Sequence, residues 1–512
     1  MKEKDISQTL NTIRKVCLML DKLKRNKNIL TLGLMVFISC IIQVLTIMKS
    51  SIVAGYFGTS DEMDAYNLAY NIVTFIYSFG AAGISTIVIP EYVKKKNKKE
   101  VDSFLTVVFG VLLTVSLAII LFRNLLIGSI SNRDSTFIQI SGNILIVLFG
   151  AHVFSIVTNV TGAFFQCAEK YNIPKIINLI SQILVVLILA VFRDITIYDY
   201  TLIISCGIVF NFIIDAVIAV KVGWRYRPSV LFNDTTKGLL KLFIPVVFST
   251  GIYRVSLLVD TAISSRLDSG SITILSYSNQ ISSMVNTLII GNLLIYFYPQ
   301  IVKNIKENKK QQSFWDQTIF FHATICLVIL GFAAIGQEGI SLLFEHGNFN
   351  HNATVTVFQC SLIYIFGQQS NVIRDLIYRY FYALGDTSTA AKNSVLVATV
   401  NIVISIVLSI PFGIYGIVIG TIIASLVSLT VITIIFKKKI GFENSFSSIL
   451  KTYIKTEIIM IVSALIIAIS KKAFAIDSNI VSILIFGIES VAIYSILTYI
   501  FNRRVIKTFR NL

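Results

Sequence analysis

Uninterrupted apolar runs about 20 residues long recur from Ile29 to the end of this chain, each long enough to cross a hydrocarbon core of about 30 Å as a helix. Transmembrane β-strands alternate over segments of about 10 residues and give no such runs, which excludes a barrel. The expected fold is therefore an all-α polytopic membrane protein with about fourteen transmembrane helices. Composition agrees: 55% of residues are apolar and 14% charged, against about 45–50% and about 25% in soluble domains.

A net charge of +17 would suit a nucleic-acid partner, but the 44 Lys and Arg sit in short blocks between the apolar runs. "KKKNKK" (94–99), "KVGWRYR" (221–227), "KNIKENKK" (303–310), "KKK" (437–439) and "RRVIKTFR" (503–510) alternate with neutral or acidic turns such as "GTSDEMD" (58–64) and "RDITIYDY" (193–200). That is the positive-inside pattern, and it requires no polyanion. It places both termini in the cytoplasm. Residues 1–28 lack a signal-peptide h-region; Ile6, Leu10, Ile13, Cys17 and Leu20 recur at helical spacing among basic residues, as in a helix lying on the inner membrane surface. The six cysteines form no CxxC pair and read as buried thiols.

The chain also repeats itself. "IPEYVKKKNKKEVDSF" (89–104) aligns with "YPQIVKNIKENKKQQSF" (298–314) with one inserted residue, and "FFQCAEKYNIPK" (164–175) aligns without gaps with "FYALGDTSTAAK" (381–392). The expected organisation is an N-terminal lobe of six spans (29–222), a second such lobe (238–436), an appended pair (451–502) and a basic tail (503–512). Repeats in one orientation place a substrate between the lobes near the midplane, with rocking giving alternating access. The small-residue cluster Gly80-Ala81-Ala82-Gly83 suits close helix packing, or a gating hinge at Gly80 and Gly83.

Ionisable side chains inside spans cost at least about 2.5–3.5 kcal/mol, so they face a cavity or a partner. The candidates are Lys49, Asp215, Arg254, Asp260, Arg374, Asp375 and Arg379, with Gln43, Asn71, Gln280, Asn286, Gln368 and Gln369 as hydrogen-bonding groups. Cations at depth in spans one, seven and ten suit a phosphate-bearing substrate. Structural readings stand beside these: a carboxylate partner for Arg254, snorkelling for Arg379 and Lys49, local pairing for Asp215. His152 and His322 read as core or interface residues. No Walker A loop, HExxH, GxSxG or nucleotide fingerprint is present, so the chain reads as a transporter rather than an enzyme.

"GYFGTSDEMDAYNLAYNI", "GISTIVIPEY", "LFEHGNFNHNAT" and "YRYFYALGDTSTAAK" resemble the MurJ/MviN family of lipid II flippases, within the multidrug/oligosaccharidyl-lipid/polysaccharide exporter superfamily. The resemblance implies movement of an undecaprenyl-pyrophosphate-linked glycan across a bacterial cytoplasmic membrane, with lipid II, membrane lipids and cell-wall synthesis proteins as partners. It implies a cationic cavity for the pyrophosphate. The matching positions here are Gln43 and Lys49 in span one, a site near Ile76 or Tyr77, and Gln280 in span eight; only Lys49 keeps the charge, and Asp64 keeps the acid of the "DA" element. Arg254 and Arg374 are the available compensating cations. The resemblance further implies a sodium ion at Asp260 and Asn401, with Ser405 where a carboxylate can occur, or the membrane potential as driving force. A capsule, exopolysaccharide or O-antigen unit is the alternative cargo. A drug or cation antiporter of the same superfamily and a non-transporting cell-wall scaffold are the further alternatives.

Overall fold

The computed structural model describes residues 33–94, 98–192, 194–231, 233–307, 311–442, 446–474 and 476–511; the amphipathic segment expected over 1–28 lies outside them. The described residues form helices and turns with no strand. The first half contains α1 (Gly33–Phe57), α2 (Asp61–Lys94), α3 (Lys98–Leu121), the short α4 (Arg123–Ile130), α5 (Ser135–Cys167), α6 (Asn172–Val191) and α7 (Ile197–Val222). The second contains α8 (Asp234–Ser264), α9 (Ser271–Val285), a π-helical turn (Asn286–Gly291), α10 (Asn292–Lys306), α11 (Gln312–Phe344), α12 (His351–Ala383), α13 (Thr387–Phe412) and α14 (Ile414–Lys439). The chain ends in α15 (Phe446–Ala473), α16 (Asn479–Phe501) and α17 (Arg503–Asn511).

Ten of these helices are long and apolar enough to cross a membrane: α1, α3, α5, α6, α7, α11, α13, α14, α15 and α16. Helix α12 is diluted by Gln368, Gln369, Asn371 and Arg374, and α2, α8 and the continuous α9–π–α10 also carry polar residues such as Asn71, Arg254 and Asn286. A span keeps such groups only where they face protein or a cavity. A site between the halves is therefore expected on the helices that carry these groups.

Among the described residues, two large hydrophobic cores fill the halves, with smaller clusters around Phe349 and Tyr364. One gathers side chains from Val53 to Leu239 together with Ile272, the other from Ile290 to Val505. The packing order α2–α5, α5–α7 and α6–α7 recurs as α9–α12, α12–α14 and α13–α14. Both aligned sequence segments fall at the same turns, α2–α3 with α10–α11 and α5–α6 with α12–α13. Caps fix several of these turns: Asp134, Asn233 and Asn350 accept from the first-turn N–H groups of α5, α8 and α12, and Thr196 forms a capping box with Asp199 at α7. The last helices pack outside the second half, where Tyr494 donates to the Ala323 carbonyl at 2.9 Å and Lys471 pairs with Glu338 at 2.6 Å. His322 on α11 meets Glu457 on α15 at 2.9 Å, with Cys326 Sγ 3.8 Å from the same ring. His322 is therefore an interface residue, pinning α15 to α11. The basic tail is itself a short helix, with the Phe509 ring tilted against Phe320 at 4.6 Å between centroids.

Gly80 is not a break. Helix α2 runs unbroken through Gly80 and Gly83, and a Cβ at Gly80 would meet Leu112 Cδ1 at 2.7 Å. The glycine lets α2 and α3 approach closely. The irregular backbone lies instead at Asn286–Gly291, a π-helical turn in the middle of the eighth span; such turns concentrate at functional sites.

Candidate functional site

The two halves enclose a cavity of about 820 Å³. Its wall takes Thr74, Tyr77 and Ser78 from α2, His152 and Asn159 from α5, Arg254 and Ser256 from α8, and Asn286 from the π turn. Helix α12 adds Gln368, Asn371, Arg374 and Asp375, and α13 and α14 complete it through Ser394, Asn401, Thr421 and Ser425. The Arg254 side chain is exposed into this space and also lines a smaller adjoining cavity with Asn71 and Asp260. Among the described residues no carboxylate lies within ion-pair distance of Arg254. It is a cation held open between the halves.

Arg374 reaches the same cavity differently. Its Nε and Nη2 both donate to Asp375 Oδ1, at 3.0 and 2.9 Å, and its guanidinium lies over Tyr378. The neighbouring carboxylate offsets much of that charge, so Arg374 is a weaker anion ligand than the sequence suggested. Arg379 lies over Tyr298, outside the cavity wall. His152 is buried, bonds the Leu148 carbonyl at 2.9 Å and stacks on Tyr77, yet it lines the cavity, so its reading as a plain core residue misses this face. Asp215 does not pair locally: Thr161 Oγ1 of α5 donates to its carboxylate, tying α7 to α5.

Lys49 does not snorkel to the membrane surface. It lines a chamber of about 490 Å³ inside the first half, and that chamber shares Ala81 and Asn159 with the central cavity. Gln43, on the same helix, is half-buried and lines neither space.

Asp64 and Gln280 stand elsewhere than the resemblance implied. Asp64 is fully buried and caps α9 from across the seam, accepting from Gly270 N and Thr273 N at 2.8 Å and from Thr273 Oγ1 at 2.7 Å. Arg133 adds a bond at 3.4 Å. With no lone pair left facing a cavity, Asp64 is a latch between the halves rather than a substrate ligand. Gln280 exchanges hydrogen bonds with Ser50 of α1 at 2.8 and 3.0 Å, a second cross-seam tie. Asn67–Thr273, Asn71–Thr261 and Asn348–Gly55 extend the same seam. Gly58 and Gly347 allow it to close: both adopt positive φ, and a Cβ at either would stand 2.2 Å from the carbonyl oxygen of the other turn. All these ties lie on the face opposite the basic turns, so the cavity is sealed on that face.

Asp260 and Asn401 are brought together. Asn401 Nδ2 donates to Asp260 Oδ2 at 3.3 Å and to Ser256 Oγ, while Ser405 Oγ donates to Asn401 Oδ1 at 3.2 Å. Asp260 Oδ1 is buried without a partner. A carboxylate, two hydroxyls and an amide around one orphaned oxygen fit a hard monovalent cation, once the Asn401 amide turns its oxygen inward. Ser256 is the member that sequence reasoning missed; it lies four residues before Asp260, one helical turn away.

The family described as "Lipid II flippase MurJ" matches residues 53–486. A "Probable lipid II flippase MurJ" of Buchnera aphidicola subsp. Baizongia pistaciae is 22% identical over 395 residues, covering 72% of this chain and 75% of that protein. One of Thermotoga maritima is 22% identical over 380 residues, covering 70% and 75%. Among solved structures, "Lipid II flippase MurJ, inward closed conformation" superposes with a TM-score of 0.76 at 20% identity, over 92% of this chain and 99% of that one. An inward-facing MATE-family transporter of the MOP superfamily superposes at 0.63 with 13% identity, over 80% and 96%.

Proposed function

The chain belongs to the lipid II flippase MurJ family, and from that premise we propose that it moves lipid II from the inner to the outer leaflet of a bacterial plasma membrane by alternating access. It is a multi-pass membrane transporter, not an enzyme. Arg254 carries the reading: an unpaired cation exposed in a cavity between the halves, where a pyrophosphate would enter. A dianion in a low-dielectric cavity gains more from one such guanidinium than from the amides around it. If the basic turns face the cytoplasm, the seam at Asp64 and Gln280 seals the outer side. Cargo would then enter from the cytoplasmic side.

The Asp260–Asn401–Ser256–Ser405 group would hold a sodium ion whose gradient drives the return of the empty carrier. When bound, the ion would supply positive charge beside Asp260. Independently of it, this chain's own residues position α8 against α13 through the Asn401 bridge.

A different polyprenyl-linked glycan is the second reading. It is favoured by Gln280, which ties the seam to Ser50 where the resemblance implies a cavity cation. Reconstituted vesicles loaded with fluorescent lipid II test the proposal. Arg254→Ala should cut transport about 10- to 150-fold, the worth of one charge-assisted contact, with insertion unchanged. Wild-type rates in that variant would remove the pyrophosphate role of Arg254. Transport of a peptide-free linked glycan in preference to lipid II would establish the second reading.

A further inference from the structure

We propose that the chamber beside Lys49 is a saccharide subsite, holding the neutral sugar of a polyprenyl-linked glycan while the pyrophosphate rests at the central cavity. The proposal rests on the flippase reading and adds where the head group goes. Five amide side chains line the chamber: Asn159 and Gln166 from α5, Asn178 and Gln182 from α6, and Asn211 from α7. Among the described residues none of the five makes a side-chain hydrogen bond, and the Gln182 carbonyl oxygen is buried without a partner. Polar atoms left unpaired inside a membrane protein are costly, and structures retain them where a ligand or water completes them; Gln182 Oε1 is such an atom, while Asn159 and Gln166 present exposed amides to the chamber.

Amides carry two donors and an acceptor, which suits hydroxyls that both give and take a hydrogen bond. Among the described residues Lys49 is the only ionisable one in the chamber wall. A cationic drug would meet no carboxylate there, and an acyl chain would meet a polar lining. The volume of about 490 Å³ is within the range of small-ligand sites. The shared wall at Ala81 and Asn159 puts the chamber within reach of a pyrophosphate in the central cavity. Gly162 keeps the space open: a Cβ there has no neighbour within 4 Å, so a larger side chain would project into the chamber.

The test measures binding of three lipids to the full-length protein in nanodiscs: undecaprenyl pyrophosphate, undecaprenyl-pyrophosphate-linked monosaccharide without peptide, and lipid II. In Gln182→Leu and Asn211→Leu, affinity for both glycolipids should fall about five- to tenfold per amide removed, while the sugarless pyrophosphate binds as before. Gly162→Leu should reproduce that selective loss by filling space, with every amide intact. Unchanged glycolipid affinity in Gln182→Leu and Gly162→Leu would overturn the subsite. An equal loss for all three lipids would also overturn it, because the chamber would then act through the fold. A penalty confined to lipid II would assign the chamber to the peptide instead of the sugar. Wild-type protein that holds none of the lipids would overturn the flippase reading itself.

Discussion

Removing the Asp64 carboxylate should open the sealed face. Asp64 takes three short bonds from the other half, two from the backbone at the start of α9 and one from Thr273 Oγ1. When that face opens, water satisfies the same N–H groups, so only the net worth of the contacts is lost. A helix cap is worth about 0.5–2 kcal/mol and a hydrogen bond to a charged group about 1.5–3 kcal/mol. These share the same atoms and do not add in full; about 2–3 kcal/mol is the resulting estimate for Asp64→Ala. That moves the equilibrium between sealed and open forms about 30- to 150-fold toward open. Spin labels at Glu62 and Asp268, both exposed beside the seam, report the change as a new long-distance population in pulsed EPR. The refuting result is a distance distribution identical to wild type. Loss of transport with that unchanged distribution would return Asp64 to the substrate.

Lys49→Arg should keep transport and Lys49→Gln should lose most of it in the vesicle assay, since the charge rather than the shape faces the chamber; equal rates would refute this. Asp260→Asn should abolish any dependence of transport on a sodium gradient, and retained dependence would place the ion elsewhere. Gly80→Ala should leave transport near wild type, because Leu112 can yield, whereas deleting Thr287 should regularise the π turn and stop it. The reverse pattern would restore the hinge to Gly80. At the α12–α13 turn, the Lys439 ammonium and the Thr389 bonds hold the Asp386 carboxyl below its usual range. A lowered folded-state value stabilises above the unfolded value of about 3.9 and is lost as pH falls through the folded one. Asp386→Asn should therefore destabilise equally at pH 7 and pH 5 in a thermal melt, and a penalty that vanishes at pH 5 would contradict the assignment.

Much of this architecture is legible in the sequence because lipid imposes one rule on every span. Apolar length gives the helices, basic turns give the two faces, and the aligned segments at 164–175 and 381–392 fall on equivalent turns. Arg254 was legible too, since a lone cation in a span needs a cavity. What failed depends on the phase and partner of each helix. Lys49 fits both a snorkelling anchor and a cavity residue, and only the packing of α1 on the first half decides for the chamber. Asp64 meets backbone donors on α9, and a sequence does not display those as partners. Gly80 fits both a hinge and a tight contact, and only Leu112 across the interface decides. The π turn at Asn286–Gly291 has no composition of its own. The amide chamber draws one or two residues from each of three helices, too sparse in any one of them to form a motif.

Complementation tests the central claim most directly. Cells depleted of their own lipid II flippase would express this chain, with survival and labelled lipid II in the outer leaflet followed together. The account predicts rescue with labelled lipid II reaching the outer leaflet, and loss of both in Arg254→Ala. A chain that inserts fully yet leaves lipid II in the inner leaflet would contradict it.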